Sequence, residues 1–398
     1  MGSYSLGHQL STVMREDVAM EPAKPVKVMQ MIARMNVGGP AVLVADLMRN
    51  LDHQRFTTVL VTGYCDENES DYLDQVAQDV AAIRIPGLGR SVSPLKDLGA
   101  FFLLISEIRK FKPDVIHTHT AKAGVLGRLA GLIARPQAKR VHTFHGHLLH
   151  GYFGSGKTRL VILLEKALGF ITHRFIAIGN VVKNDLVRAG IAQDSKFEVI
   201  YPGLQDLDKY PKKDAQAALA PDPNKRYLVF VGRLTTIKRP ERLIDLARFL
   251  KDKHPECWLL IAGAGELLDP LSAQAQSEEL PATFLGWRND IGMILSASDI
   301  AVLCSDNEGI PLTLIQASQA GLPIVSTDVG SVSDIVINGT TGLLTEVSPK
   351  GLIEGVSVLL DDPALGQRFG KAGQERARNF FSSRAMVERH EKLYSQSL

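Results

Sequence analysis

The stretch 303–327, LCSDNEGIPLTLIQASQAGLPIVST, constrains the fold more than any other part of the chain. An apolar run over 300–304 ends in polar residues. Glu308-Gly309-Ile310-Pro311 then leads into a helical pattern, and Gly321-Leu322-Pro323 stops that pattern before a second apolar run. The order is strand, loop, helix, strand. The loop therefore lies at the carboxyl end of a parallel strand and at a helix N-terminus, where open α/β sheets bind ligands and where free N–H groups and the helix dipole favour phosphate. Pro311 suits the first helical turn, because its missing N–H would have had no partner within the helix. Glu308 is an odd neighbour for an anion site unless it faces something other than the phosphate.

The same alternation runs through the rest of the sequence. The apolar run 26–32 ends in Asn36-Val37-Gly38-Gly39 and is followed by a helical pattern over 40–51, a first βα turn suited to close backbone approach by a ligand. Without the full GxGxxG spacing the turn is a weak signal alone. Strand patterns at 58–62, 82–85, 114–118, 139–143, 174–178 and 197–200 alternate with helical ones at 70–77, 94–111, 121–134, 157–171 and 181–189. Alternation of this kind predicts a parallel sheet covered on both faces. From 201 to 225 the pattern breaks into Pro, Asp, Lys and Ala, and a second alternation then starts at 227–231. Its further strands are expected at 258–262, 282–285, 300–304, 324–326 and 342–344.

The expected architecture is α/β, with two Rossmann-like doubly wound domains facing each other across a cleft. A tail over 1–24 precedes a first domain over 25–204, a link over 205–225, a second domain over 226–376 and a terminal helix over 377–398 that could return to the first domain. A length of 398 residues favours two domains. The tail lacks the apolar core of a signal peptide and reads as disordered. No apolar run reaches the 18 residues that a membrane span needs. Cys65, Cys257 and Cys304 have no metal spacing and read as buried thiols of a reducing cytoplasm.

The net charge of +2 hides an asymmetry: residues 1–204 carry 24 Lys and Arg against 18 Asp and Glu, or +6, which leaves −4 for the remainder. Most of the excess lies over 109–174, with 12 basic residues opposed only by Asp114 and Glu165. Neither aromatic stacking residues nor a known nucleic-acid fold accompanies those charges, so nucleic acid is not an expected partner. The plain reading is a solvated basic face. The sharper one is attraction to an anionic membrane surface or acceptor.

Four loops carry the chemistry. Arg233 and Lys238 lie between the second domain's first strand and a helix opening at Pro240, where two cations would suit a diphosphate, Arg as a bidentate donor and Lys as a point charge. A solvated basic turn is the plainer alternative for that loop alone. It does not stand alone, because Gly263-Ala264-Gly265-Glu266, Gly286-Trp287-Arg288 and 306–311 end adjacent strands of the same expected sheet.

Taken in order, VGRLTTIKRPERLI, AGAGE, FLGWRNDI, the 303–327 stretch and NGTTGLL resemble the nucleotide-binding domain of family 4 retaining glycosyltransferases (glycosyl transferases group 1), which have the GT-B fold. In the first domain NVGGPA, DVIHTHTAKAGVLGRLAG and HTFHGH are similar too, and the resemblance covers nearly all of 26–395. It implies transfer of a sugar from a nucleoside-diphosphate sugar, UDP-linked as first expectation, to a glycan or lipid-linked acceptor of polysaccharide or cell-envelope synthesis, with retention and without a metal or other cofactor. It would put Arg233 and Lys238 on the diphosphate, Glu308 on the sugar hydroxyls and the Gly38 and Gly39 amides near phosphate and sugar. His145 would stand at the reacting face, and the backbone near Arg288 would hold the base. Gly263, Ile310, Pro311, Leu312 and Gln316 complete the implied donor site. No Asp-x-Asp occurs in a plausible donor-binding loop, so fixed cations and helix N–H groups must replace a metal ion. The implied location is the cytoplasm, at the inner face of the membrane if the sharper charge reading holds.

Two departures from the family pattern stand out. The family carries a second Glu eight residues after the first, holding the ribose; here that position is Gln316, which can still accept through its carbonyl but offers no charge. Tyr201-Pro202-Gly203-Leu204 replaces the usual Pro-Asn-Gly before the link. Other readings are a nucleotide-sugar epimerase on the same fold, separable by isomerisation without acceptor, and a non-catalytic partner subunit, pointed to by Gln316 alone.

Two motifs read as decoys. Gly151-Tyr152-Phe153-Gly154-Ser155-Gly156-Lys157-Thr158 has P-loop spacing, yet no clean strand leads into it, and its aromatic residues are bulky for a phosphate nest. His117, His119, His142, His145, His147 and His150 lack the cysteine or carboxylate partners of a zinc site. They read as packed or surface residues, except His145, which ends a strand facing the expected cleft.

Overall fold

The computed structural model describes residues 24–67, 69–146, 155–219, 222 and 224–396, with backbone alone at 155–158. Residues 1–23 of the expected tail, the first half of the P-loop-like motif (151–154), and His147 and His150 lie outside the described residues. Two sheets form, one from each alternation. The first holds β1 (Val26–Ile32), β2 (Phe56–Thr62), β3 (Ala82–Arg84), β4 (Val115–His119), β5 (Lys139–Phe144), β6 (Arg174–Ala177) and β7 (Phe197–Val199), in the order β3-β2-β1-β4-β5-β6-β7. The second holds β8 (Arg226–Val231), β9 (Cys257–Ala262), β10 (Ala282–Gly286), β11 (Ile300–Leu303), β12 (Ile324–Thr327) and β13 (Gly342–Thr345), in the order β10-β9-β8-β11-β12-β13.

Every pairing between these strands is parallel. Strands such as β8, with Tyr227, Leu228, Val229 and Phe230 all buried, are apolar on both faces because helices cover both sides of the sheet. Each sheet reverses its strand order once, at β1/β4 and at β8/β11. The loops leaving those strands diverge and open a crevice at the carboxyl ends.

The stretch 201–225 is not wholly irregular, since the helix Lys212–Leu219 forms within it. The helix Ser383–Gln396 packs on the first sheet, where Met386, Val387, Leu393 and Tyr394 join Val28, Phe56 and Val115 in one apolar cluster. A polar clasp also joins the two halves. Asp334 accepts from the Asn180 backbone N–H (2.8 Å) and from Asn180 Nδ2 (2.7 Å), and Tyr201 Oη donates to its Oδ1 at 3.1 Å. Cys257 and Cys304 are buried free thiols, whereas Cys65 is only partly covered.

Candidate active site

The cleft between the two sheets has a volume of about 750 Å³. Of the expected site residues it brings together Gly39, His145, Arg233, Lys238, Glu308, Ile310, Pro311 and Leu312. An ideal Cβ on Gly39 would stand 3.7 Å from Leu312 Cδ1, and one on Gly309 would stand 4.0 Å from Gly146 Cα, so the two walls face each other at van der Waals range.

The second sheet supplies the charged wall from both sides of its switch point. The loop after β8 turns through the short 3-10 helix Thr236–Lys238 and carries Arg233 and Lys238; the loop after β11 carries Glu308. Arg233 is exposed, and its side chain has no hydrogen bond or ion pair among the described residues. Lys238 differs from the expectation of a cation waiting for phosphate. Its Nζ lies 2.5 Å from Glu308 Oε1, where Ser305 Oγ also donates at 2.5 Å. Both contacts fall on one oxygen of a carboxylate that is 7% exposed, and Oε2 carries none among the described residues.

The backbone beneath Glu308 is fixed by a residue that sequence reading passed over. Gly330 has φ 54°, and a Cβ there would fall 1.8 Å from the Glu308 carbonyl oxygen, so only glycine lets this loop close. Pro311 is extended (ψ 102°), which makes it the cap and Leu312 the first helical residue, one position later than expected; no side chain caps this helix. Its first N–H groups are therefore open to a ligand at the positive end of the dipole.

Four expected residues do not line the cleft. Gly263 (φ 146°) packs so tightly on β8 that a Cβ would reach 1.8 Å from the Gly232 carbonyl, a shaping role. Arg288 is turned onto Asp290, which raises the guanidinium pKa through their hydrogen bonds. Gln316 is partly buried on the helix Leu312–Ala320 and has no side-chain partner among the described residues. Gly38 caps the first helix beside Gly39 in ordinary extended geometry (φ 166°).

The first sheet supplies a wall of another kind. His145 directly follows β5, and burial, with His390 as a lesser contributor, pulls its pKa down to about 4. Its Nε2 lies 2.9 Å from His119 Nδ1, and His119 Nε2 lies 2.9 Å from Gln30 Oε1. Gln30 Nε2 donates to Tyr394 Oη at 2.8 Å, which stands 2.7 Å from His117 Nδ1, and His117 Nε2 is 2.7 Å from Thr143 Oγ1. The carbonyl of Gln30 can only accept, so His119 carries its proton on Nε2 and its bare Nδ1 accepts from His145 Nε2–H. His145 is left with an unprotonated Nδ1, which is buried and has no partner among the described residues.

Sequence reading treated His117 and His119 as packed or surface residues and expected alternate histidines to point to opposite faces, which is incorrect for positions two apart on a strand. They alternate on a strand, which places both rings on one face, 4.1 Å between centroids. Gln30 and Tyr394, 364 residues apart, left no local sign of their contact.

Two family descriptions match the chain: Glycosyltransferase Family 4 over residues 37–206 and Glycosyl transferases group 1 over 211–376. An *Escherichia coli* UDP-Gal:alpha-D-GlcNAc-diphosphoundecaprenol alpha-1,3-galactosyltransferase is 31% identical over 339 residues, which are 82% of this chain and 85% of that one. The chain belongs to glycosyltransferase family 4. A *Staphylococcus aureus* capsular polysaccharide biosynthesis glycosyltransferase, CapM, is 26% identical to this glycosyltransferase over 82% of this chain and 87% of its own. Among solved structures, *Anabaena* Alr3699/HepE in complex with UDP superposes with a TM-score of 0.79 at 19% identity, covering 93% of this chain and all of that one. The fold of this glycosyltransferase is thus GT-B.

Proposed function

We propose that this glycosyltransferase moves a sugar from a nucleoside-diphosphate sugar, UDP-linked, to a hydroxyl of a glycan or lipid-linked acceptor in cell-envelope polysaccharide synthesis, with retention and without a metal ion. Acceptor binding is assigned to residues 25–204 and donor binding to 226–376. The observation that carries this reading is Arg233, a cation without a protein partner, standing in the cleft with the Lys238–Glu308 pair and an uncapped helix N-terminus. The donor named for the *E. coli* relative, UDP-Gal, and its diphosphoundecaprenol-linked acceptor support the same chemistry here.

In this reading the sugar C1–O bond to the diphosphate breaks, and its electron pair leaves on the phosphate oxygen. That oxygen takes the acceptor hydroxyl proton, and the acceptor oxygen bonds C1 from the same face. Negative charge grows beside the Arg233 guanidinium and the helix N-terminus, whose N–H groups the fold holds in place. Entry of the diphosphate draws Lys238 toward it, and Glu308 then accepts from the sugar hydroxyls. The His145 Nδ1 lone pair takes a further hydroxyl hydrogen.

The test is a nucleotide-sugar screen by thermal shift, since a ligand of the native state raises apparent stability, followed by transfer assays with and without EDTA. A shift with a UDP-sugar and EDTA-resistant transfer are expected. No shift with any nucleotide sugar, or isomerisation of the donor without acceptor, would overturn the reading.

A further inference from the structure

The outer faces of three helices of the first domain are apolar where a helix on a globular surface is ordinarily polar. The helices Pro94–Phe111, Ala121–Ala134 and Ser155–Ile171 pack side by side in that order. Each turns its inner side to the fold: Leu104 and Ile108 on the first, Ala130 on the second and Leu168 on the third are buried. A buried ion pair fastens the second helix to the third, with Arg128 Nη2 at 2.9 and 2.8 Å from the two carboxylate oxygens of Glu165. The layer is therefore held together from within, and no described element covers its outward residues.

Those outward residues are large. On the helix Ser155–Ile171, Leu160, Leu163 and Phe170 are 68%, 63% and 89% exposed. Their spacing of three and then seven residues keeps them on one stripe. On the helix Pro94–Phe111, Leu95, Leu98 and Phe102 repeat the pattern at 85%, 53% and 60%. Single exposed apolar residues are ordinary; repeated stripes on neighbouring helices mark an interaction surface.

Charge selects the partner. Lys96, Arg109 and Arg159 are exposed on the same two helices and make no ion pair among the described residues. Their acidic neighbours are spent, Asp97 on Lys122, Glu107 on Lys110 and Glu165 on Arg128. A symmetric dimer through this surface would set the cations of one copy against those of the other. A bilayer with anionic headgroups instead takes Leu and Phe side chains at the acyl boundary and pairs the cations at the headgroup level. No helix among the described residues is long and apolar enough to cross a membrane.

The geometry points to this layer as a docking surface that lies in the interface of an anionic phospholipid bilayer, held by apolar insertion of Leu160, Leu163, Phe170, Leu95, Leu98 and Phe102 and by the flanking cations. The assignment deepens the lipid-linked acceptor reading, because the donor cleft is then carried at the membrane by the domain that would meet the acceptor. It does not need donor or acceptor to be tested.

The full chain is sedimented with vesicles of phosphatidylglycerol and phosphatidylethanolamine, and with vesicles of phosphatidylcholine, without donor or acceptor. Binding to the anionic vesicles that raised salt weakens without abolishing is expected, because the apolar part is not screened. The combined variant Leu160→Ser, Leu163→Ser, Phe170→Ser should bind about ten-fold less, since these side chains are the inserting ones. Its thermal transition and its shift with nucleotide sugar should stay unchanged. Wild-type chain that remains in the supernatant with anionic vesicles at low salt overturns the proposal. So does a triple variant that sediments as wild type, or a wild-type dimer that dissociates in the variant and binds no vesicles. Donor binding is read separately by thermal shift, so its failure would count against the proposed function and leave this surface standing.

Discussion

The two walls of the cleft are built on the same βα plan but differ in charge. The wall from the second sheet holds Arg233 and the Lys238–Glu308 pair, whereas His145 on the wall from the first sheet is kept neutral by burial. The difference follows the proposed reaction. A leaving diphosphate gathers negative charge, which the Arg233 guanidinium and helix N–H groups stabilise. The sugar gathers positive charge, and an imidazolium beside it would raise the barrier. One wall works through charges set in place, the other by keeping a charge away.

The largest effect should come from removing the charged wall. Arg233→Ala and Glu308→Ala should each lower kcat by about 10²–10³-fold, the loss typical of one preorganised group at a developing charge. Arg233→Lys should recover part of the loss, because a point charge remains where bidentate bonding is gone. Steady-state transfer kinetics decide the matter. A change below about two-fold in Arg233→Ala would mean that charge on this wall is not what drives departure of the diphosphate.

The neutral wall predicts a pH dependence of definite sign. His145 and His390 are pulled down to about 4, and His117, His119 and His142 well below the ordinary 6.5, in each case first by burial. In the unfolded chain they would take up protons near 6.5, so their contribution to stability is full above that pH. It is lost progressively as pH falls toward the folded values, at about 1.4 kcal/mol per pH unit for each group that titrates only when unfolded. Urea unfolding at pH 7 and pH 5 measures it, and equal stability at the two would contradict a neutral histidine wall. In the native enzyme His145 should produce no limb in the rate profile between pH 5 and 8. His145→Ala should cost on the order of 10- to 100-fold in kcat, less than loss of Arg233, because one neutral hydrogen bond is weaker than a charge-assisted one.

Tyr394→Phe tests how that neutrality is directed. The ring is fully buried against Phe56, so the substitution removes little but the hydroxyl that links Gln30 to His117. A stability loss of about 1–3 kcal/mol is expected from the partners left unpaired. If the chain through Gln30 and His119 sets the His145 tautomer, kcat should fall several-fold with KM little changed. The ¹⁵N spectrum of labelled protein should then report the Nδ1–H form of His145. Lost stability with an unchanged tautomer and kcat would reduce the chain to packing.

The fold was legible because its signal is local and repeated. All 13 strands lie where apolar runs and the intervening helical patterns put them, with shifts of one or two residues at their ends. The charged wall was legible too, since Arg233, Lys238 and Glu308 sit in loops that follow strands. What those loops do with one another was not. The Lys238–Glu308 pair spans 70 residues, and Gly330 supports Glu308 only because β12 lies beside β11. The neutral wall was least legible. Gln30, His119 and Tyr394 come from the first strand, the fourth strand and the terminal helix, and no spacing rule connects them. The docking surface was half legible: the basic excess over 109–174 could be counted, but which apolar residues remain outside depends on how three helices pack.

Gln316 offers the smallest effect and the finest division between the walls. It lies on the helix that begins with the donor wall, yet it does not line the open cleft and has no side-chain partner among the described residues. If the ribose reaches it, Gln316→Glu turns a neutral hydrogen bond into a charge-assisted one. The gain of about 1 kcal/mol corresponds to roughly five-fold tighter donor binding, read as a lower KM for the nucleotide sugar with kcat unchanged. The free nucleoside diphosphate should tighten by the same factor, because the ribose contact is present before and after the sugar leaves. A gain confined to the intact donor would instead place the carboxylate near the sugar. No gain for either would mean that the ribose is held elsewhere on the charged wall and that this wall's reach ends at Leu312.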